Sequence, residues 1–420
     1  DEGHAFGAGL ERKRVSKYST TIIIDSGPGE TRGALLRAGV AWDVVHHRDA
    51  EPSLVGAVYR GRVRKVDHGL NGAFVEIGQG PEAYLRARDA SDPADKMPRN
   101  ARIGERVNEG MKIDVRVVAD GFAAKGPRIS RVTPDPAHAD RPAPDCLLSP
   151  PSAVDLILER FVSSDTEQII CGDAAIENAA RAWVATGEHP DIASGITRGS
   201  GDLFAKHDIE DEIEAALSRR VRIPGGAELV IDMAEAMCVI DINSAGAVGK
   251  SGRASRDVNQ KAMPEIARQL RLRNIAGAIV IDALKMSARD DRNRVLSALR
   301  NALKDDPGAC HVLGITNLGL IEMTRTRTGL SLADRMLALA SAPGLSVDAV
   351  AYAGLRAVVR AAAAKPSGGY RLLVSQPVAE ALGGRLQGAR DQAAQTVGRL
   401  DIIAEDDRAN DRFEVMLGSA

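Results

Sequence analysis

Residues 236–246 read AMCVIDINSAG, an apolar run from Met237 to Ile240 that ends in Asp241, Ile242 and Asn243. Forty-one residues on, the pattern recurs as GAIVIDAL at 277–284, with Asp282 after Val280 and Ile281. Short β-branched runs of this kind read as buried strands. One helix, expected at about 257–272 with Pro264 inside it, separates them, so the interval is that of a β-α-β unit whose strands can be neighbours. In open α/β sheets, sites form at the carboxyl ends of strands. Two carboxylates brought together there repel unless a proton or a cation intervenes. Asp oxygens with the Asn243 amide oxygen form a hard donor set suited to Mg2+ or Mn2+. The competing reading is that each Asp merely opens a turn or caps a helix.

The remainder of the central block is also α/β. ELVIDM (228–233) and AMCVIDI (236–242) read as two strands with a tight connection. A helix over about 289–304 follows the Asp282 strand, and HVLGIT (311–316) and LGLIEM (318–323) read as further strands. Upstream, residues 53–85 are β-rich and broken by turn residues at 67–72 and 78–81. Arg60, Arg62 and Arg64 recur at period two, which puts them on one strand face. Phe74 and Tyr84 are two of only eleven Phe and Tyr residues in the chain. Rings beside an arginine row suit a single-stranded nucleic acid, whose bases stack while arginines follow phosphates. The same rings equally suit the core of a small barrel.

Length and composition set bounds. The chain has 420 residues, 44% hydrophobic and 27% charged, with net charge −2. That describes a globular protein of two to four domains with no membrane-length apolar run and no visible signal peptide. The four cysteines form no CxxC and read as free thiols of a reducing cytoplasm. Overall charge does not announce nucleic acid, but residues 251–300 hold eleven basic and five acidic residues, Arg268 and Arg271 among the basic ones. That stretch is either a field for a polyanion or a solvated helix face. No P-loop, HExxH or GxSxG is present, which removes support for nucleotide-hydrolase, zincin and serine-hydrolase chemistry.

Several long motifs occur in an order that resembles the bacterial ribonuclease E/G family. EAMCVIDINSAGAVGKSG, EIARQLRLRNIAGAIVIDALKM and ITNLGLIEMTRTRTGLSL are similar to its catalytic core. GAVYRGRVRKVDHGLNGAFVEIGQGPEAYL is similar to its S1 domain, and TIIIDSGPGETRGALLRAG and LFAKHDIEDEIEAALSRRVRIPGG to its other segments. The similarity runs over about 19–335, and more faintly over 369–420. It implies a multidomain α/β plus all-β protein. An S1 (OB-fold) barrel at 53–125 is inserted in an RNase H-like domain, with parts at 18–52 and 153–218. A shortened sensor region or linker fills 126–152. A DNase I-like α/β catalytic domain spans 219–338, a linker that opens with a helix 339–368 and a small C-terminal α/β domain 369–420, with residues 1–17 a disordered tail.

The same resemblance implies a cytoplasmic endoribonuclease that cuts single-stranded RNA and leaves 5′-phosphates. Asp241 and Asp282 would ligate Mg2+, with Mn2+ as the alternative ion, and Asn243 would support them. Phe74, Tyr84 and Lys125 would face RNA, joined by Arg60, Arg62, Arg268 and Arg271 from the charge pattern. The departures shape further expectations. The family's zinc-binding cysteine pair is missing, so no structural zinc and no zinc-linked dimer is expected, and the oligomeric state is open. The family's 5′-sensor arginine falls at Ala309, which predicts weak or absent 5′-monophosphate sensing. Lys285 stands where another acid is usual and opposes a bound cation. No degradosome scaffold is visible. The alternative is an RNA-binding factor with a degenerate site.

Overall fold

The computed structural model describes residues 19–91, 101–121, 125–187, 189–244, 252–338, 344–366 and 368–418. The expected tail at 1–17 lies outside them. The chain opens with an antiparallel meander of β1 (Thr20–Gly27), β2 (Glu30–Arg37) and β3 (Val40–Arg48). Gly29 supplies the positive φ of +68° that the first tight turn requires.

The chain then leaves this sheet to build a barrel from β4 (Val58–Asp67), β5 (Gly72–Glu76), β6 (Ala83–Arg86), β7 (Lys112–Ala119) and β8 (Arg128–Arg131). The order β5-β6-β8-β7-β4 closes because β4 also pairs with β5. A closed barrel has no free edge. Its interior is filled by Val63, Val75, Leu85, Ile113, Val115 and Ile129. The segment expected as a linker at 126–152 supplies β8 and also β9 (Asp145–Leu148), which pairs with β4. The barrel sheet therefore runs past residue 125.

After the barrel, helix Ala153–Phe161 begins with a capping box between Ser152 and Asp155. β10 (Thr166–Cys171) then joins the first sheet parallel to β1, and β11 (Ile196–Arg198) adds parallel to β10. The result is a five-stranded sheet, β11-β10-β1-β2-β3, with the barrel inserted between its third and fourth strands.

The next sheet has the order β12 (Arg220–Arg222), β13 (Glu228–Met233), β14 (Met237–Asn243), β15 (Gly277–Asp282), β17 (Leu320–Arg325), β16 (Cys310–Ile315). Only β14 and β15 among these are paired in parallel, with helix Gly252–Leu272 as their crossover. That helix and helix Arg289–Ala302 cover one face, where Ile240, Ile242, Ile279 and Ile281 meet Met263, Ile266, Leu270, Val295 and Leu299. Full burial of each such side chain contributes about 1.5–3 kcal/mol. Pro264 lies within the helix, which continues through it.

The chain ends with β18 (Tyr370–Ser375), β19 (Leu400–Glu405) and β20 (Glu414–Leu417) in the order β19-β18-β20. The stretch 339–368, expected as a helix and then a linker, contains the 18-residue helix Val347–Ala364, whose Val350, Leu355 and Val358 are buried against this last unit. Arg356 of that helix and Arg48 of β3 both pair with Glu30, which is 2% exposed.

Burial pushes the Glu30 carboxyl up, but the fields of Arg356, His46 and Arg48 outweigh it and hold it at about 2 instead of 4.5. A depressed carboxylate contributes stability that is present above the unfolded value and lost as pH falls through the folded one. Glu30→Gln should therefore be destabilised at neutral pH by on the order of 3 kcal/mol. The gap to the unmodified chain should close as pH falls from about 4.5 toward 2. Urea unfolding across that range measures it, and a gap independent of pH would refute the assignment.

Candidate active site

Side chains alternate along β14. Cys238, Ile240 and Ile242 are buried against the helices, so Met237, Val239, Asp241 and Asn243 point to the opposite, open face. In β15, Ile279 and Ile281 are buried, so Ala278, Val280 and Asp282 share that open face. The register pairs Asp241 directly with Asp282. Neighbouring strands lie about 4.8 Å apart, so the carboxylates are adjacent. Asp282 is exposed and Asp241 half-buried. Their outer neighbours in the same row are apolar, Val230 on β13 and Leu320 on β17. Among the described residues neither carboxylate has an ion pair or hydrogen bond. Asn243 continues the face, exposed and opposite Glu228.

Two adjacent, unneutralised carboxylates are electrostatically incomplete. Among the described residues no group of three His, Cys, Asp or Glu could hold a metal ion. Mg2+ is typically bound by one or two carboxylates, with waters and substrate phosphates completing its shell. The donor set therefore suits a hard divalent cation.

Sequence reading missed the residue that fixes the chain beyond Asp282. Asn259, fully buried on the crossover helix, donates to the Leu284 carbonyl at 2.8 Å and accepts from the Leu284 amide at 3.0 Å. An amide inside a helix facing a strand end was the available signal, since a buried Asn must find both partners. Lys285 follows and is exposed.

The barrel carries the second cluster. Phe74 and Tyr84 are directly paired across β5 and β6, with ring centroids 5.5 Å apart and tilted by 48°. Both are half-buried, whereas Ala73, Val75 and Leu85 between them fill the interior, so the rings lie on the outer surface. Gly72 makes this possible, since a Cβ there would lie 2.4 Å from the Tyr84 hydroxyl. Lys125 is exposed in the β7–β8 connection. The next residue, Gly126, runs so close to β6 that a Cβ would lie 1.9 Å from the Glu82 carbonyl.

The arginines are placed differently from expectation. Arg60 is 7% exposed and pairs in bidentate fashion with Asp114 at 2.8 and 2.9 Å. It also donates to the carbonyls of His138, Ala139 and Arg141, and Arg62 donates to that of Ala143. These two residues hold the segment before β9 against the barrel, which removes Arg60 from any RNA surface. Arg268 pairs with Glu212 and Glu265 and donates to the Ala41 carbonyl at 2.9 Å. Arg271, 5% exposed, pairs with Asp43 at 3.1 Å. Both tie the crossover helix to the first sheet rather than facing solvent. Arg256 pairs with Asp257 and Asp291. Arg256, Arg268, Arg271 and Arg273 are thus paired or buried, whereas Lys261, Lys285, Arg289, Arg294 and Arg300 stay exposed, so only part of the expected basic field over 251–300 is removed.

Five concavities among the described residues are lined without either aspartate. One of about 360 Å3 is lined by His47, Asp120 and Arg160 at the barrel's junction with the first sheet. The pair occupies an open sheet face instead, a shape that suits a polymer more than a small molecule.

The Ribonuclease E/G family pattern matches residues 131–328, a stretch that contains both aspartates and Asn243. The chain is 30% identical to ribonuclease G of Haemophilus influenzae over 393 residues, covering 74% of this chain and 80% of that one. The chain belongs to the ribonuclease E/G family. It is also 28% identical to ribonuclease G of Escherichia coli K12 over 450 residues, 86% of this chain and 92% of the relative. Ribonuclease E of the same strain matches at 35% identity, but over 47% of this chain and only 19% of that much longer protein. The full-length likeness is thus to ribonuclease G. Among the described residues no helix is long and apolar enough to cross a membrane.

Proposed function

We propose that this endoribonuclease-family chain cleaves single-stranded RNA hydrolytically with Mg2+ and leaves 5′-phosphate ends. The observation that carries the proposal is the Asp241–Asp282 register pair on an open face, where among the described residues neither carboxylate has an ion pair. Asp241 and Asp282 would hold the ion, and Asn243 would orient the site beside them. A divalent cation so held supplies charge neutralisation at a phosphodiester and lowers the pKa of water. The barrel's outer rings would receive bases by stacking. Phe74→Ala should weaken RNA binding by about 1–3 kcal/mol if a base stacks there, measured by fluorescence anisotropy.

In this reading the sheet β11-β10-β1-β2-β3 is the RNase H-like domain interrupted by an S1 barrel, and the β12–β17 sheet is DNase I-like; the strand orders support it. We further propose weak 5′-end sensing, since Ala309 offers no cation to a terminal phosphate. Equal cleavage of 5′-monophosphorylated and 5′-hydroxyl substrates is expected, and a large preference for the former would overturn this. The reaction itself is tested with a labelled oligoribonucleotide in Mg2+ against EDTA. Binding without cleavage would leave the second reading, an RNA-binding factor, for which the shortened sensor region and the missing zinc-binding cysteines are the motivating features.

A further inference from the structure

The barrel's outer face carries a cation that has no ion pair among the described residues. Arg128 on β8 is directly paired with Tyr84 on β6, and the next pair in register, Leu85 with Ile129, is fully buried. Tyr84 and Arg128 therefore point outward together. Successive pairings across the barrel place Phe74, Tyr84 and Arg128 side by side in one row. Among the described residues Arg128 has no ion pair, and its Nε is buried without a hydrogen-bond partner. An unpartnered buried donor is costly and uncommon, which makes it a marker of something absent from the isolated chain.

Its surroundings make matters worse for a lone cation. Arg86 and Arg88 are close by, and one carboxylate, Asp89, serves both, at 2.6 Å from Arg86 and 3.9 Å from Arg88. Burial and then the field of Arg86 push the Arg128 guanidinium below its ordinary value. Three guanidinium groups beside one carboxylate leave a net positive cluster at the edge of the ring pair. A folded protein gains by filling such a place with an anion, and a guanidinium fork favours phosphate.

We propose that Arg128, supported by Arg86 and Arg88, grips a backbone phosphate of single-stranded RNA whose bases stack on Phe74 and Tyr84. The proposal rests on the RNA-cleaving reading of the chain and adds a residue that neither the period-two arginine row nor the charge count indicated. Arg128 acts as a binding residue remote from the carboxylate pair. It sets the register of the strand on the barrel and makes that grip sensitive to salt.

The test measures binding of a short fluorescent single-stranded oligoribonucleotide to the full chain in EDTA across a salt series. Arg128→Gln should weaken binding roughly tenfold. It should also reduce the slope of log affinity against log salt by about 0.7, the share of one phosphate contact on a single strand. Arg128→Lys should retain the slope. Phe74→Ala should lose affinity with the slope unchanged. Thermal melting of Arg128→Gln should be unchanged or higher, because an unpaired cation has been removed, and this separates lost contact from lost fold. If Arg128→Gln keeps both affinity and slope while Phe74→Ala weakens binding, the phosphate grip is wrong and the RNA-binding reading stands. If the unmodified chain binds no RNA, both are wrong.

Discussion

Asp241→Asn and Asp282→Asn should each lower RNA cleavage by about 10^3-fold or more while leaving metal-free RNA binding nearly unchanged. The size follows from charge. Each substitution keeps the side chain's shape and removes half the negative charge at a place where two carboxylates stand in register. A weakened ion loses both its neutralisation of the phosphodiester and its acidification of water, each worth several kcal/mol. Neither aspartate supports the core, since both face away from the helices that bury Ile240 and Ile281. The variants should therefore melt with the unmodified chain, or slightly above it, because like-charge repulsion has been removed. Gel analysis of a labelled substrate, with the melting curve alongside, decides the matter. Retained cleavage in either variant would place the chemistry elsewhere.

Lys285→Glu probes the same place from the other side. Lys285 is exposed just past the segment that Asn259 holds. A carboxylate there should shift the Mg2+ requirement to lower concentration, because a nearby cation opposes metal binding. A Mg2+ titration of cleavage rate measures it, and an unchanged midpoint would show that Lys285 does not act on the ion.

The aspartate pair was legible in the sequence for a physical reason. Each Asp ended a β-branched run, and one helix-length interval between the runs left little choice but adjacent parallel strands. What failed was the reading of arginines. A guanidinium on an amphipathic helix looks the same whether water, RNA or a distant carboxylate receives it. Arg271 finds Asp43 across 228 residues and Arg60 finds Asp114 across 54, and neither separation carries a local signal. Period-two logic on β4 also assumed an unbroken strand, whereas its pairing with β5 shifts between Val63 and Lys65. Helix Val347–Ala364 takes up more of a stretch read as a helix and then a linker, because small residues, abundant in linkers, also make good helix formers once a neighbouring sheet buries them.

Those misplaced arginines carry the largest stability effect. Asp43, 1% exposed on β3, accepts from Arg160 of helix Ala153–Phe161 at 3.1 Å and from Arg271 of the crossover helix at 3.1 Å. One carboxylate thus joins the first sheet, its covering helix and the helix that backs β14 and β15. Asp43→Ala should destabilise the chain by about 3–5 kcal/mol, because it strands buried positive charge rather than merely deleting a contact. Arg271 is the costlier partner because its side chain is the more buried, 6% exposed against 17% for that of Arg160, although it keeps the Asp305 carbonyl as Arg160 keeps the Thr328 hydroxyl. Adding Arg271→Met to Asp43→Ala should therefore recover part of the loss, as removing both members of a buried pair costs less than removing one. The exposed pair Arg181–Glu177 is the control, and breaking it should hardly move the unfolding midpoint. Urea unfolding of the four proteins gives the comparison. If the double variant is no more stable than Asp43→Ala alone, the damage comes from repacking of β3 and not from the stranded charge. Recovery would instead show that the loss came from the stranded Arg271 charge on the helix that backs β14 and β15.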